Sequence, residues 1–146
     1  MNSPANKNQS RLRSNSKNTK KVFLPWNKYI ILIEELVQKI KDSKEEFDCI
    51  YGVPRGGMIP AVIISHALNI PIMGNPLDGY KKRMLIVDDL VDTGKTVVDL
   101  TKFLKEHTAV SHFKIASIYR HEKCEVAPDY YVETNNMWIE FPYEGD

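Results

Sequence analysis

Cysteine is scarce in this 146-residue chain: Cys49 and Cys124 are two, far apart, and imply neither a disulfide framework nor a zinc-binding set. Long apolar runs are missing as well. The longest candidate, residues 58–73, is broken by Ser65, His66 and Asn69 and falls short of the ~20 apolar residues that span a bilayer. Acids are absent from the first 21 positions, which carry Lys7, Arg11, Arg13, Lys17, Lys20 and Lys21; the rest of the chain then holds 14 basic and 19 acidic residues, a formal charge of −5. That balance disfavours a uniformly basic nucleic-acid-binding surface on the body, although the leader itself could touch phosphates. The leader has Leu12 as its sole large aliphatic after Met1, and it lacks the apolar stretch of about 7–15 residues that a secretory signal needs. Its lack of acids would suit a transit peptide, but its amphipathic content is low. Residues 1–21 are therefore expected to be a disordered basic tail and residues 22–146 one domain, with reduced thiols and a cytoplasmic location. The histidines, His66, His107, His112 and His121, lack metal-ligand spacing, and no serine or cysteine nucleophile motif accompanies them.

What is present is an alternation of helical and strand patterns. From Trp26 to Ser43 the residues Ile30, Ile33, Val37 and Ile40 recur at three and four, widened by Leu32 and Leu36, which predicts an amphipathic helix. Residues 48–53 are a short apolar run closed by Pro54 and two glycines. Residues 58–68 return to helical spacing, with Pro60 tolerable in the first turn. Residues 69–73 read as a second short strand, and 74–82 as a polar connection. Met84, Leu85, Ile86 and Val87 are continuously apolar, as a central parallel strand covered on both faces would be, and two aspartates follow. A helix over 94–107 and strands over 113–119 and 130–133 complete the pattern. The expected fold is α/β, a central, mostly parallel sheet flanked by helices, with ligands bound beyond the carboxyl ends of the strands.

Two loops fall at that edge. The segment from Asp88 to Thr96 offers carboxylates at Asp88, Asp89 and Asp92, then hydroxyls and amides at Thr93, Gly94, Lys95 and Thr96 where a helix begins. A helix start binds phosphate through its unpaired amides and the positive end of its dipole. Carboxylates nearby suit sugar hydroxyls or a magnesium ion. A Walker loop would need glycine where Asp89 stands; a receiver-type acidic pair would have more chain after it. A strand stop followed by a Thr93 helix cap is the bland alternative. Pro54-Arg55-Gly56-Gly57 repeats the strand-loop-helix geometry, with Arg55 able to grip a polyanion; an ordinary tight turn with a surface arginine is its alternative.

MLIVDDLVDTGKT at residues 84–96 resembles the signature with which type I phosphoribosyltransferases bind 5-phosphoribosyl 1-pyrophosphate (PRPP). The resemblance implies a PRPP-dependent enzyme that transfers the 5-phosphoribosyl group to N9 of a 6-oxopurine (guanine, xanthine or hypoxanthine), with Mg²⁺ and release of pyrophosphate, in purine salvage. It implies that Asp88 and Asp89 hold the ribose hydroxyls and the metal, that Thr93, Gly94, Lys95 and Thr96 bind the 5-phosphate, and that Asp92 takes or relays a purine proton. Arg55, Gly56 and Gly57 match the pyrophosphate loop, Arg55 serving catalysis by neutralising the leaving group. Residues 137–143, Met-Trp-Ile-Glu-Phe-Pro-Tyr, resemble the Trp-Ile-Glu-x-Pro segment of the bacterial xanthine-guanine enzymes, which assigns Trp138 and Ile139 to the purine, although large aromatics are more often packed in cores. A family lysine at the purine 6-oxo group is replaced by Arg120, which keeps the charge and changes its reach. Dimers are usual for the family, so a homo-oligomer, dimer or tetramer, is implied, with no membrane and no specific nucleic acid among the partners. The sequence departs from the family where a long flap closes the site: residues 74–83 are all that remain, so a reduced hood and flap are expected. That shortness supports an alternative function, a non-catalytic regulator that binds PRPP or a nucleotide.

Overall fold

The computed structural model describes residues 21–79, 81–107 and 112–145; residues 1–20 of the expected tail lie outside them. Lys21, assigned to the tail from its charge, opens β1 (Lys21–Phe23). There follow α1 (Trp26–Ser43), β2 (Cys49–Gly52), α2 (Met58–Leu68), a 3₁₀ turn (Pro76–Gly79), β3 (Arg83–Val91), α3 (Lys95–His107), β4 (His112–Arg120), β5 (Tyr130–Thr134) and β6 (Trp138–Glu140).

The first helix shows how pattern becomes packing. Pro25, which has no amide to donate, precedes it in an extended conformation, and Lys44 ends it in the left-handed region, returning its amide to the Lys41 carbonyl. Tyr29, Leu32, Ile33, Leu36, Val37 and Ile40 form its buried stripe, each large aliphatic among them worth about 1.5–3 kcal/mol. Ile30, expected in that stripe, is exposed and Tyr29 takes the inward position.

Strands β2, β3, β4 and β5 form one parallel sheet in that order, and β1 pairs in parallel with β6 in a separate two-stranded sheet. The strand expected over 69–73 is a single bridge, Ile72 to Ile50, on the outer side of β2. Because side chains alternate along a strand, β3 feeds two cores. Leu85 and Val87 face the core made with α1, α2, Ile139 and Phe141. Met84 and Ile86 face the core made with Val97 and Leu104 of α3. The result is three layers, helix on sheet on helix. Among the described residues no helix is long and apolar enough to cross a membrane.

β3 is longer than expected. It does not stop at Val87 but runs through both aspartates to Val91, because β4 continues beside it, Asp88 opposite Ser117 and Val91 opposite Arg120. The two acids are therefore strand residues at the carboxyl edge of the sheet.

Candidate active site at the carboxyl edge of the sheet

Asp88 and Asp89 are 2% and 1% exposed. Asp88 Oδ1 accepts a hydrogen bond from the Asp89 amide at 2.8 Å. Asp89 sits against the loop after β2. A methyl built on Gly56 would come 2.0 Å from Asp89 Oδ2, and one on Gly57 would come 2.4 Å from the Val87 carbonyl oxygen and 2.8 Å from that of Val53. Both positions thus require glycine for close approach. The loop is closed by backbone bonds: Val53 donates to the Val87 carbonyl, Gly57 to that of Val53 and Met58 to that of Arg55. The Pro54–Arg55 peptide is cis, and Arg55 is exposed at the tip. The two loops singled out in the sequence are thereby brought into contact.

Beyond β3, the chain turns into α3. Thr93 Oγ1 accepts from the Lys95 amide at 3.1 Å, and the Val98 amide donates to the Gly94 carbonyl, so the residues expected to bind phosphate do form a capped helix start. Gly94 has φ +93°, and a methyl there would meet the Val126 backbone nitrogen at 3.0 Å. Residues 121–126 brace this turn: His121 donates its amide to Val91, and Glu125 to Thr93. Asp92, Thr93, Lys95 and Thr96 are exposed. The Lys95 ammonium is paired with Asp99 at 2.9 Å, one helical turn on, and that contact raises its pKa. What the structure offers at position 95 is the backbone of the turn rather than the ammonium.

Arg120 ends β4 beside Val91. Its guanidinium lies over the Tyr131 ring, 4.9 Å from the centroid, and its Nε donates to Thr134 Oγ1 at 3.2 Å. Trp138 is half-buried in β6, opposite Lys21. Ile139 is 2% exposed and belongs to the hydrophobic core, so its side chain packs inward and does not face a ligand. Its backbone groups are what remain to meet a purine.

The residue that sequence reasoning overlooked is Tyr143. Its hydroxyl lies 3.0 Å from Asp89 Oδ2 and 3.3 Å from the Gly56 carbonyl oxygen, joining the segment after β6 to both loops. The ring stacks on Phe141 (5.5 Å, 17°) and meets Tyr29 edge-on (5.6 Å, 78°). Burial first, and then the neighbouring Asp89, hold the Tyr143 phenol far above its ordinary range, so it stays a donor at any working pH. Its signal in the sequence was the aromatic following Pro142, but nothing local pointed to a partner 54 residues earlier.

Three of the histidines have structural partners. His121 Nδ1 accepts from the Lys123 amide, His107 Nδ1 meets the Phe103 carbonyl, and His112 Nε2 lies 3.3 Å from Glu45. Burial pushes the Cys49 thiol up, which keeps it protonated. A polar recess of about 440 Å³ lined by Ser43, Lys44, Glu45, Glu46 and Arg83 lies at the opposite edge, where β3 begins. The connection before β3 forms the 3₁₀ turn Pro76–Gly79, which packs near α3.

Comparison with known proteins agrees with this arrangement. The phosphoribosyl transferase domain family matches residues 73–144. A xanthine-guanine phosphoribosyltransferase from Idiomarina loihiensis is 28% identical over 145 aligned residues, covering 84% of this chain and 86% of that protein. The crystal structure of a purine phosphoribosyltransferase from Pyrococcus horikoshii superposes with a TM-score of 0.74 at 37% identity, covering 86% of this chain and 95% of that one. A xanthine-guanine-hypoxanthine phosphoribosyltransferase from Helicobacter pylori gives a TM-score of 0.77 at 19% identity, over 86% and 94% of the two chains, a likeness of fold. By its likeness over most of both chains to the purine phosphoribosyltransferase of known structure, the chain belongs to the type I phosphoribosyltransferases, a family of transferases.

Proposed function

We propose that this protein transfers the 5-phosphoribosyl group of PRPP to N9 of a 6-oxopurine and releases pyrophosphate, as a soluble cytoplasmic enzyme of purine salvage. The observation that carries the reading is the contact of Gly56 with Asp89, which puts a pyrophosphate-type loop and a sugar-type carboxylate side by side, as PRPP requires. The xanthine-guanine names of its relatives support a purine as acceptor.

In this reading the start of α3 receives the 5-phosphate through the amides and hydroxyls of Thr93 to Thr96. Asp88 and Asp89 accept hydrogen bonds from the ribose hydroxyls. Arg55, with the amides of Gly56 and Gly57, neutralises the departing pyrophosphate. Asp92, exposed after β3, takes the proton that N9 loses as its bond to C1 of the ribose forms. Arg120 meets the purine 6-oxo oxygen, and Trp138 offers a stacking face worth about 1–3 kcal/mol to any purine. Positioning and charge supply most of the acceleration.

Magnesium fits the residues present. It takes hard oxygen donors, with one or two carboxylates and the substrate's own phosphate oxygens sufficing, and Asp88 and Asp89 provide such carboxylates. Among the described residues there is no cluster of three or more His, Cys, Asp or Glu, and this mode of binding needs none. When bound, the ion would supply positive charge to offset that of the substrate's phosphate groups.

Incubating purified protein with PRPP, Mg²⁺ and each of guanine, hypoxanthine, xanthine, adenine and a pyrimidine tests the proposal by nucleotide and pyrophosphate formed. Nucleotide from at least one 6-oxopurine is expected, and the pair Asp88→Asn with Asp89→Asn should abolish it. PRPP binding without product from any base would favour the non-catalytic regulator that residues 74–83, with no room for a long flap, also suggest. Absence of PRPP binding would refute the cradle itself.

A further inference from the structure

We infer that Tyr143 is a positioning residue: its hydroxyl holds the Asp89 carboxylate in register with the Gly56 loop, so that the sugar-binding and pyrophosphate-binding halves of the site behave as one unit. The inference rests on the PRPP reading given above. The phenol has one proton, and two acceptors lie within hydrogen-bond geometry, Asp89 Oδ2 at 3.0 Å and the Gly56 carbonyl oxygen at 3.3 Å, with the Tyr29 hydroxyl beside them. A carboxylate is the stronger acceptor, so the bond goes to Asp89 while the oxygen remains seated over Gly56. On its other side Asp89 Oδ2 is walled by Gly56, which has no room for a methyl. One carboxylate oxygen is thereby clamped between a loop and a phenol.

The clamp is anchored in rigid material. Tyr29 and Phe141 are 0% exposed, and the Tyr143 ring lies stacked on one and edge-on to the other, with Trp26 tilted against it at 6.1 Å. The direction of the hydroxyl is therefore set by the hydrophobic core. The Tyr29 hydroxyl, buried and facing Tyr143, has no partner within strict hydrogen-bond geometry, although it lies close enough to act on the Tyr143 phenol and, electrostatically, on Asp89. It provides a neighbouring phenol that shares the packing without a hydrogen bond to Asp89.

The test compares Tyr143→Phe with Tyr29→Phe, measuring PRPP binding by calorimetry with Mg²⁺ and the separate KM values for PRPP and purine. Tyr143→Phe keeps the ring stack and deletes the bond; PRPP binding should weaken roughly tenfold or more, as loss of a hydrogen bond to a charged group does. The purine KM should stay within about twofold, a split that loosened packing would not produce. Tyr29→Phe should leave PRPP binding within about twofold. Equal loss in both variants, or wild-type PRPP binding in Tyr143→Phe, would overturn the inference and leave the functional reading intact. Failure of the wild-type protein to bind PRPP would overturn both.

Discussion

Replacing Gly56 with alanine introduces a methyl carbon 2.0 Å from Asp89 Oδ2 and 2.7 Å from its Cγ. Ordinary contact between such atoms begins above 3 Å, so one partner must move by about 1 Å or more. Asp89 is the end of a side chain, yet it is 1% exposed and held by Tyr143, and the loop is tied by the bonds from Gly57 to Val53 and from Met58 to Arg55. Overpacking of this kind costs about 1–3 kcal/mol of stability. Its effect on turnover is larger, since a displacement of about 1 Å at a reacting centre can cost on the order of 100-fold. The assay pairs kcat/KM for PRPP with a thermal melt for Gly56→Ala, Gly57→Ala and Gly74→Ala. Gly57→Ala meets backbone at 2.4 Å and should lose more stability, whereas Gly74 has nothing within 4 Å and should be neutral. Gly56→Ala with wild-type kinetics and melting temperature would refute the contact on which the site is built.

Three further outcomes are expected. Gly94→Ala forces a side chain into φ +93° against Val126 and should cost about 1–3 kcal/mol, read as a lower urea midpoint together with weaker PRPP binding. Lys95→Ala should leave the PRPP KM within about threefold, because the exposed ammonium pairs with Asp99 and an exposed pair contributes little; a loss of a hundredfold would show that the ammonium leaves Asp99 for the phosphate. The phenols of Tyr29, Tyr119 and Tyr143 are all held up by burial, Tyr119 to about 12 and the other two higher. Below pH 10 folded and unfolded chains keep these protons alike; above it the unfolded chain releases protons that the folded one retains. Stability then falls by about 1.4 kcal/mol per pH unit for each phenol, and Tyr143→Phe should show a shallower alkaline fall than wild type in urea titrations. Parallel curves would refute that assignment.

Much of the fold was legible because it is local. Both α1 and α2 occupy the residues that their apolar spacing marks, and the core of β3 is the apolar run at 84–87. The continuation of β3 through Asp88 and Asp89 was not legible, because it depends on the ladder with β4, and acids read as a stop. Strands β1 and β6 have three residues each, too short for a period, and Trp138-Ile139-Glu140 drew notice as a motif instead. Ile139 then proved to be core. The two loops could be named from residue type and position, since glycine, arginine and aspartate at strand ends carry chemistry wherever they fold. That they touch depends on Gly56 meeting Asp89 across the β2–β3 pairing, and that Tyr143 closes over both is a matter of pairs 54 and 87 residues apart, which no window of sequence contains.

The pairing of β1 with β6 gives this last point a temporal side. β2, α2, β3 and α3 can assemble from neighbouring segments, bringing Gly56 against Asp89 while the chain is still incomplete. Residues 141–145 follow β6, whose pairing with β1 has the greatest sequence separation in the sheets and so carries the largest loop-closure cost; late closure is the expectation. A chain caught before that step would display the two loops and most of the sheet, yet its acidic pair would lack its phenol. Completion of the site would then report completion of folding.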